Sequence, residues 1–289
     1  MGNKKVTVRT LAKMKAEGTP IAMLTAYDYP SAKICDAAGV DVLLVGDSLG
    51  NTVLGYDSTV PVTLEDVLHH TKAVTRGTQR AFVVADMPFL TSHLDRKDVL
   101  LAAGKLMQEG GAKGVKMEGG EEIADHILAL TRAGIPVMGH LGLLPQTVHQ
   151  LGGYRVQGRD EESAQKLIRE AKLLEEAGIF ALVLECVPEE VASQVTSALQ
   201  VPVIGIGAGR HCDGQVLVFH DILQLGSTFQ PSFVKTYAQI GEAIAAGVRD
   251  YVADVRNRQF PEEQHVFHAS EEMIRKLYGG EGEGDGANH

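Results

Sequence analysis

Ionisable residues close a series of short apolar runs along this chain, one run after another. Val42–Val45 is followed by Gly46-Asp47-Ser48, and Ala81–Ala85 leads into Asp86-Met87-Pro88. Gly114–Met117 contains Lys116 and runs into Glu118 and a Gly-Gly pair. Pro136–Gly139 ends at His140, and Ala181–Leu184 ends at Glu185-Cys186. Taken singly, each has a plain structural role: an Asp at such a place is usually a helix cap or turn former, and a Lys next to a Glu an ion pair. Convergence changes the reading. Carboxylates gathered at one buried mouth repel one another and call for a cation. Asp47, Asp86 and Glu118 would suit a hard divalent ion such as Mg²⁺, which takes carboxylate oxygens and leaves positions for substrate. Lys116 and Glu118, two apart on a strand, point to the same side. His140 is read equally well as a substrate contact or as a satisfied structural residue.

These groups converge only if the runs are neighbouring parallel strands. Eight runs of four or five residues, apolar on both faces, have the composition of buried parallel strands: the five above with Ile21–Thr25, Val201–Gly205 and Gln215–Phe219. Between most of them lie helical stretches, Pro30–Ala38, Leu64–Arg76, Arg96–Glu109, Glu121–Arg132, Asp160–Ala177 and Pro188–Leu199. Four are followed by a glycine where a left-handed residue would stop the helix: Gly39, Gly110, Gly134 and Gly178. The alternation predicts an α/β fold, a (β/α)₈ TIM barrel, whose chemistry sits at the C-terminal ends of its strands. A doubly wound open sheet is the alternative, but it would want a Gly-rich loop after the first strand, where Ala26-Tyr27-Asp28 stands. An extra N-terminal helix, Thr10–Glu17, is placed to plug the barrel bottom, and a C-terminal helical extension covers about Val234–Val255 with Ile240, Ile244 and Val248 on one stripe. The expected organisation is one domain over residues 1–278 and a disordered acidic tail over 279–289.

Composition excludes several classes. The 37 acidic and 27 basic residues give a formal charge of −10 with no basic patch, which argues against nucleic acid. Trp is absent, and 5% aromatic residues leave little for a base-stacking platform. Three cysteines without C-x-x-C spacing predict neither a disulfide framework nor a Cys₄ zinc site. No apolar leader or membrane-length span is expected, which makes the cytoplasm the default compartment. The pair His69-His70 reads as helix surface. Gly205-Ile206-Gly207-Ala208-Gly209 reads as a tight turn in preference to a phosphate cradle.

The same residues fall in an ordered set of phrases: TAYD (Thr25–Asp28), GDSLG (Gly46–Gly50), ADMPF (Ala85–Phe89), VKMEGG (Val115–Gly120), GHLGLLPQ (Gly139–Gln146), LVLE (Leu182–Glu185), and PVIGIGAG with DGQVLV (Pro202–Gly209, Asp213–Val218). Across about residues 8 to 260 the chain resembles the ketopantoate hydroxymethyltransferase family. Met117 is a mild departure from the family's fourth-strand phrase, at a position facing away from the site. The resemblance implies a Mg²⁺-dependent, commonly homodecameric enzyme of pantothenate biosynthesis. Its reaction would carry a hydroxymethyl group from 5,10-methylenetetrahydrofolate to 3-methyl-2-oxobutanoate through a Mg-stabilised enolate, giving 2-dehydropantoate. Carried over by position, Asp47 and Asp86 match metal-binding carboxylates that also meet substrate, and Glu118 the third acidic group at the metal. Ser48 and Lys116 match substrate contacts, and Glu185 the catalytic base. Rival readings keep the barrel: a Mg²⁺-dependent lyase or mutase of 2-oxo acids, a Schiff-base aldolase using Lys116, or a non-catalytic sensor. The lyases usually carry a K-K-C-G-H-like phrase, and none of Cys35, Cys186 or Cys212 lies in one.

Overall fold

The computed structural model describes residues 4–153, 155–226 and 231–279. Eight strands pair in chain order, all parallel, and close into a barrel. They are β1 (Ile21–Thr25), β2 (Val42–Val45), β3 (Phe82–Asp86), β4 (Gly114–Glu118), β5 (Val137–Gly142), β6 (Ala181–Glu185), β7 (Val203–Ile206) and β8 (Gly214–Leu217). The expected TIM barrel is therefore the fold. Helices α2 (Tyr29–Ala37), α4 (Leu64–Gly77), α5 (Arg96–Gln108), α6 (Ala124–Arg132), α8 (Glu161–Glu176) and α9 (Glu189–Ala198) follow the first six strands, with short α3 (Leu49–Thr52) and α7 (Val148–Leu151) in loops.

The side-chain period of two divides each strand between two cores. Ile21, Met23, Val42, Leu44, Phe82, Val84, Met138, Ala181, Val183, Ile204 and Val216 form the barrel interior. The alternate residues, among them Leu43, Val83, Val115, Met117, Leu182 and Leu184, pack outward against helix residues such as Val67, Leu106, Ile127, Leu130 and Leu174. Met117 is fully buried in this outer layer, away from the site as expected.

Local signals account for the helix ends. Thr63 and Asp66 form a reciprocal cap on α4, and Asp160 and Ser163 do the same on α8. Three of the four expected glycine stops are left-handed: Gly39, Gly134 and Gly178, with φ of 94°, 85° and 97°. After α5 that role falls to Gly111 (φ 78°) and not to Gly110, whose missing Cβ lets Thr71 and the Leu106 carbonyl approach.

The barrel bottom is closed by α1 (Val8–Ala16), whose Leu11 joins the interior core. Lys15 ties it down: its Nζ lies 2.7 Å from Asp213 and donates to the Thr196 carbonyl at 3.0 Å. No helix separates β7 from β8. Gly207 and Gly209 carry the chain through a tight turn where Phe233 and Glu189 lie too close to admit a Cβ, so this segment is a packed turn.

The chain separates into two compact units, 1–238 and 239–289. The second contains α11 (Ile240–Arg256) and α12 (Glu271–Tyr278), with α10 (Phe219–Leu223) belonging to the first. The helix expected from Val234 begins only at Ile240, because the Tyr237 and Ala238 N–H groups donate to the Ile222 carbonyl instead. Of the expected acidic tail, residues 280–289 lie outside the described residues.

Candidate active site

On β3 to β6 each inward-facing series leads, at the C-terminal mouth, to an ionisable group. Phe82 and Val84 lead to Asp86, Gly114 to Lys116 and Glu118, Met138 to His140, and Ala181 and Val183 to Glu185. Parallel register then sets Asp86 beside Lys116 and Glu118 beside His140. Asp47 enters from the turn after β2, its N–H donating to Asp86 Oδ2 at 2.9 Å.

The contacts form one continuous network. Lys116 Nζ lies 2.7 Å from Asp86 Oδ1 and 3.4 Å from Glu118 Oε1. His140 Nδ1 lies 3.2 Å from Glu118 Oε1 and the same distance from Lys116 Nζ. The other ring nitrogen, Nε2, lies 3.3 Å from Glu185 Oε2, within ion-pair reach but off the line of a hydrogen bond. Asp47, Asp86, Lys116, Glu118 and His140 are all buried, whereas the Glu185 side chain keeps 15% of its surface exposed. Ser48 is half-buried, and its hydroxyl shares a 2.8 Å hydrogen bond with the Tyr27 phenol. Every sequence-predicted site residue thus reaches the same mouth.

Charge is unevenly shared. Burial would raise Glu118, but the Lys116 ammonium and then His140 outweigh it and hold the carboxyl down at about 2. Burial pushes Asp47 well above the usual carboxylate range, with Glu118 and Asp86 adding to the rise. Asp86 is also raised by burial, in spite of the nearby Lys116. Burial disfavours the Lys116 cation, yet Asp86, Glu118 and Asp47 together hold it above its ordinary range. A lysine kept charged is no nucleophile, which counts against the Schiff-base route. His140 is pushed down by burial and by Lys116, but Glu118 and Glu185 prevail and hold it up to about 9.

Among the described residues no three His, Cys, Asp or Glu side chains are gathered as a ready metal cluster. Lys116 stands between Asp86 and Glu118, and the Gln146 amide holds Asp47 Oδ2 at 2.8 Å. The donor chemistry nevertheless fits a hard cation. Asp47, Asp86 and Glu118 are three buried carboxylates that share the single Lys116 ammonium, and the only side-chain donor to Asp47 is the neutral Gln146 amide. Mg²⁺ needs only one or two carboxylates beside water and substrate oxygens.

Two residues of the site carried no role in the sequence reading. Gln146 contacts three strands' worth of groups, and its signal was a lone polar side chain ending Leu-Leu-Pro-Gln. Tyr27, inside TAYD, braces Ser48. Other expectations resolve structurally. His69 is exposed as expected, but His70 turns inward and its Nδ1–H donates to the Tyr27 carbonyl at 2.6 Å. All three cysteines are free. Among the described residues no helix is long and apolar enough to cross a membrane.

The fold is shared with 2,3-dimethylmalate lyase, a solved member of the PEP mutase/isocitrate lyase superfamily. The two agree in fold with a TM-score of 0.54 over 93% of this chain and 94% of that one, at 17% identity. Closer relatives decide the class of enzyme. The 3-methyl-2-oxobutanoate hydroxymethyltransferase of Geobacillus sp. (strain WCH70) is 58% identical, over 93% of this chain and 96% of its own. That of Carboxydothermus hydrogenoformans is 55% identical, over 95% and 99%. Residues 5–263 match the ketopantoate hydroxymethyltransferase family. The chain belongs to that family and is a hydroxymethyltransferase.

Proposed function

We propose that the barrel mouth performs this transfer by making a carbon nucleophile from 3-methyl-2-oxobutanoate and directing it onto the one-carbon unit of 5,10-methylenetetrahydrofolate, giving 2-dehydropantoate. The observation that carries the reading is the split of the site. Asp47, Asp86 and Lys116 come from β2 to β4, while Glu185 comes from β6, across the barrel from β2, with His140 and Glu118 linking the two sides.

The proton next to the ketone is a very weak acid, so its removal needs a base on one side and stabilised negative charge on the other. Glu185 takes the proton onto a carboxylate oxygen. Lys116, held charged, faces the substrate oxygens that gain negative charge, and the Ser48 hydroxyl donates to the substrate. Asp47 and Asp86, with Glu118 as the third acidic group, would hold Mg²⁺. Bound there, the ion supplies Lewis-acid stabilisation of charge on the 2-oxo acid. Water releases the folate methylene as formaldehyde, and the two hydrogens of that water go to the two nitrogens of tetrahydrofolate as both C–N bonds break. The carbon nucleophile adds to the formaldehyde carbonyl, and the resulting alkoxide takes the proton held by Glu185 to become the hydroxyl.

The proposed setting is a homodecamer, which the family resemblance implies, in the cytoplasm, the default compartment of the sequence reading. In support of an oligomer, Ile240, Ile244 and Val248 on α11 are exposed apolar side chains of one stripe. Light scattering reads the assembly directly. For the reaction, the protein is incubated with both substrates and Mg²⁺, and product is followed by mass spectrometry. 2-Dehydropantoate with matching tetrahydrofolate is the expected result. A folded, metal-loaded protein that makes neither contradicts the reading.

A further inference from the structure

The loop after β5 crosses the mouth and is fastened at both ends. It leaves β5 at Gly142, whose φ of 93° is left-handed and where a Cβ would stand 2.2 Å from the Glu185 carbonyl oxygen. The next residue, Leu143, donates its N–H to that same carbonyl at 2.8 Å. Three residues further on, past Pro145, the chain delivers Gln146 to the carboxylates on the other side.

Gln146 is 6% exposed and makes three hydrogen bonds. Its side-chain Nε2 donates to Asp47 Oδ2 at 2.8 Å and to the Met87 carbonyl at 3.0 Å, and its backbone N–H donates to Glu118 Oε2 at 3.2 Å. Both amide hydrogens are used on acceptors. A flipped amide would set its oxygen against Asp47 and the Met87 carbonyl, which can only accept, so the orientation is fixed. The donor is also neutral. It satisfies one oxygen of Asp47 without cancelling the charge, as an arginine or lysine would. The Asp47 carboxyl is thereby held by Oδ2, and the contact brings no cation of its own to the place where a metal would bind.

On the reading that Asp47 and Asp86 hold a divalent ion, we infer that Gln146 is a positioning residue for that ion: it fixes the Asp47 carboxylate and ties it, through the β5 loop, to the backbone of Glu185. Partners that orient ligating groups in this way contribute about ten- to a hundredfold in metal affinity.

The test is Mn²⁺ binding to the full-length protein, followed by electron paramagnetic resonance. It compares wild type with Gln146→Met, which keeps the volume and loses the donors, with Gln146→Ala, and with Asp47→Asn. Both Gln146 variants are expected to bind Mn²⁺ at least about tenfold more weakly, and the Mg²⁺ concentration for half activation rises in proportion. If Gln146→Met lowers thermal stability but binds Mn²⁺ as wild type does, Gln146 is merely structural and the inference is overturned. If Asp47→Asn binds Mn²⁺ as wild type does, the carboxylate reading itself fails and takes the inference with it. The two failures appear in different variants.

Discussion

His140 stands between Glu118 and Glu185, with Nε2 3.3 Å from Glu185 Oε2 and Nδ1 3.2 Å from Glu118 Oε1. One buried imidazole thus links the carboxylate expected to move the proton to the group that faces Lys116. His140→Gln is expected to slow proton abstraction from the 2-oxo acid by at least about tenfold, with substrate affinity little changed. Single-turnover kinetics separate the two quantities. An unchanged rate would leave His140 with a structural role only.

The same residue predicts a pH dependence. Its proton is held up to about 9 in the folded state against an ordinary 6.5. Between those values the native protein keeps a proton that the unfolded chain has released. The stability due to His140 is therefore complete below the lower value and is lost as pH climbs through the upper one. Metal-free wild type should lose on the order of 2 kcal/mol more than His140→Gln across that window. Denaturant titrations at its two ends measure the difference, and parallel profiles would contradict it.

At Asp47, burial and the neighbouring carboxylates Glu118 and Asp86 outweigh Lys116, so removing its charge should stabilise the metal-free protein. Its raised affinity for a proton means that stability falls as pH rises, and Asp47→Asn abolishes that loss while keeping an oxygen for Gln146. An increase of about 1–3 kcal/mol at neutral pH is expected, together with loss of activity. A lower thermal midpoint in Asp47→Asn would mean that the charge is already balanced.

Lys116 predicts the opposite sign. Lys116→Ala leaves Asp47, Asp86 and Glu118 buried without their ammonium, a change expected to cost about 3–5 kcal/mol. The deficit should shrink as pH falls and the carboxylates take up protons. Calorimetry at two pH values tests this, and a deficit independent of pH would contradict it.

Six charged or titratable positions of the site were legible in the sequence for one physical reason. A charge at the end of a strand buried on both faces is costly, so Asp86, Lys116, Glu118, His140 and Glu185 stand out, and Asp47 follows a run of the same kind. What was not legible depends on neighbours that local sequence does not name. The role of His140 rests on the β4–β5 and β5–β6 register. Gln146 is a neutral amide in a loop, and its importance arises only after Gly142 turns the chain inward. Tyr27 reads like any core aromatic until its hydroxyl is found 2.8 Å from Ser48. The missing helix between β7 and β8 is a matter of packing, since Phe233 and Glu189 fill the space beside Gly207 and Gly209.

The Tyr27 contact is testable by itself. Burial pushes the phenol up to about 12, so it stays protonated and available to Ser48. Tyr27→Phe removes one hydrogen bond, worth about 1 kcal/mol. The KM for the 2-oxo acid is expected to rise about fivefold with kcat nearly constant. A fall in kcat at unchanged KM would place Tyr27 closer to the reacting atoms than its contact implies.

The central claim is that Glu185 takes the proton next to the ketone with the carboxylate and lysine cluster facing it. Its most direct test is proton NMR of 3-methyl-2-oxobutanoate in heavy water with enzyme and Mg²⁺, without the folate. The signal of that proton should disappear in the presence of enzyme, persist when a chelator is added, and decay about 10²- to 10⁴-fold more slowly with Glu185→Gln. Exchange at the wild-type rate in Glu185→Gln, or none in the folded and metal-loaded wild type, would contradict the account.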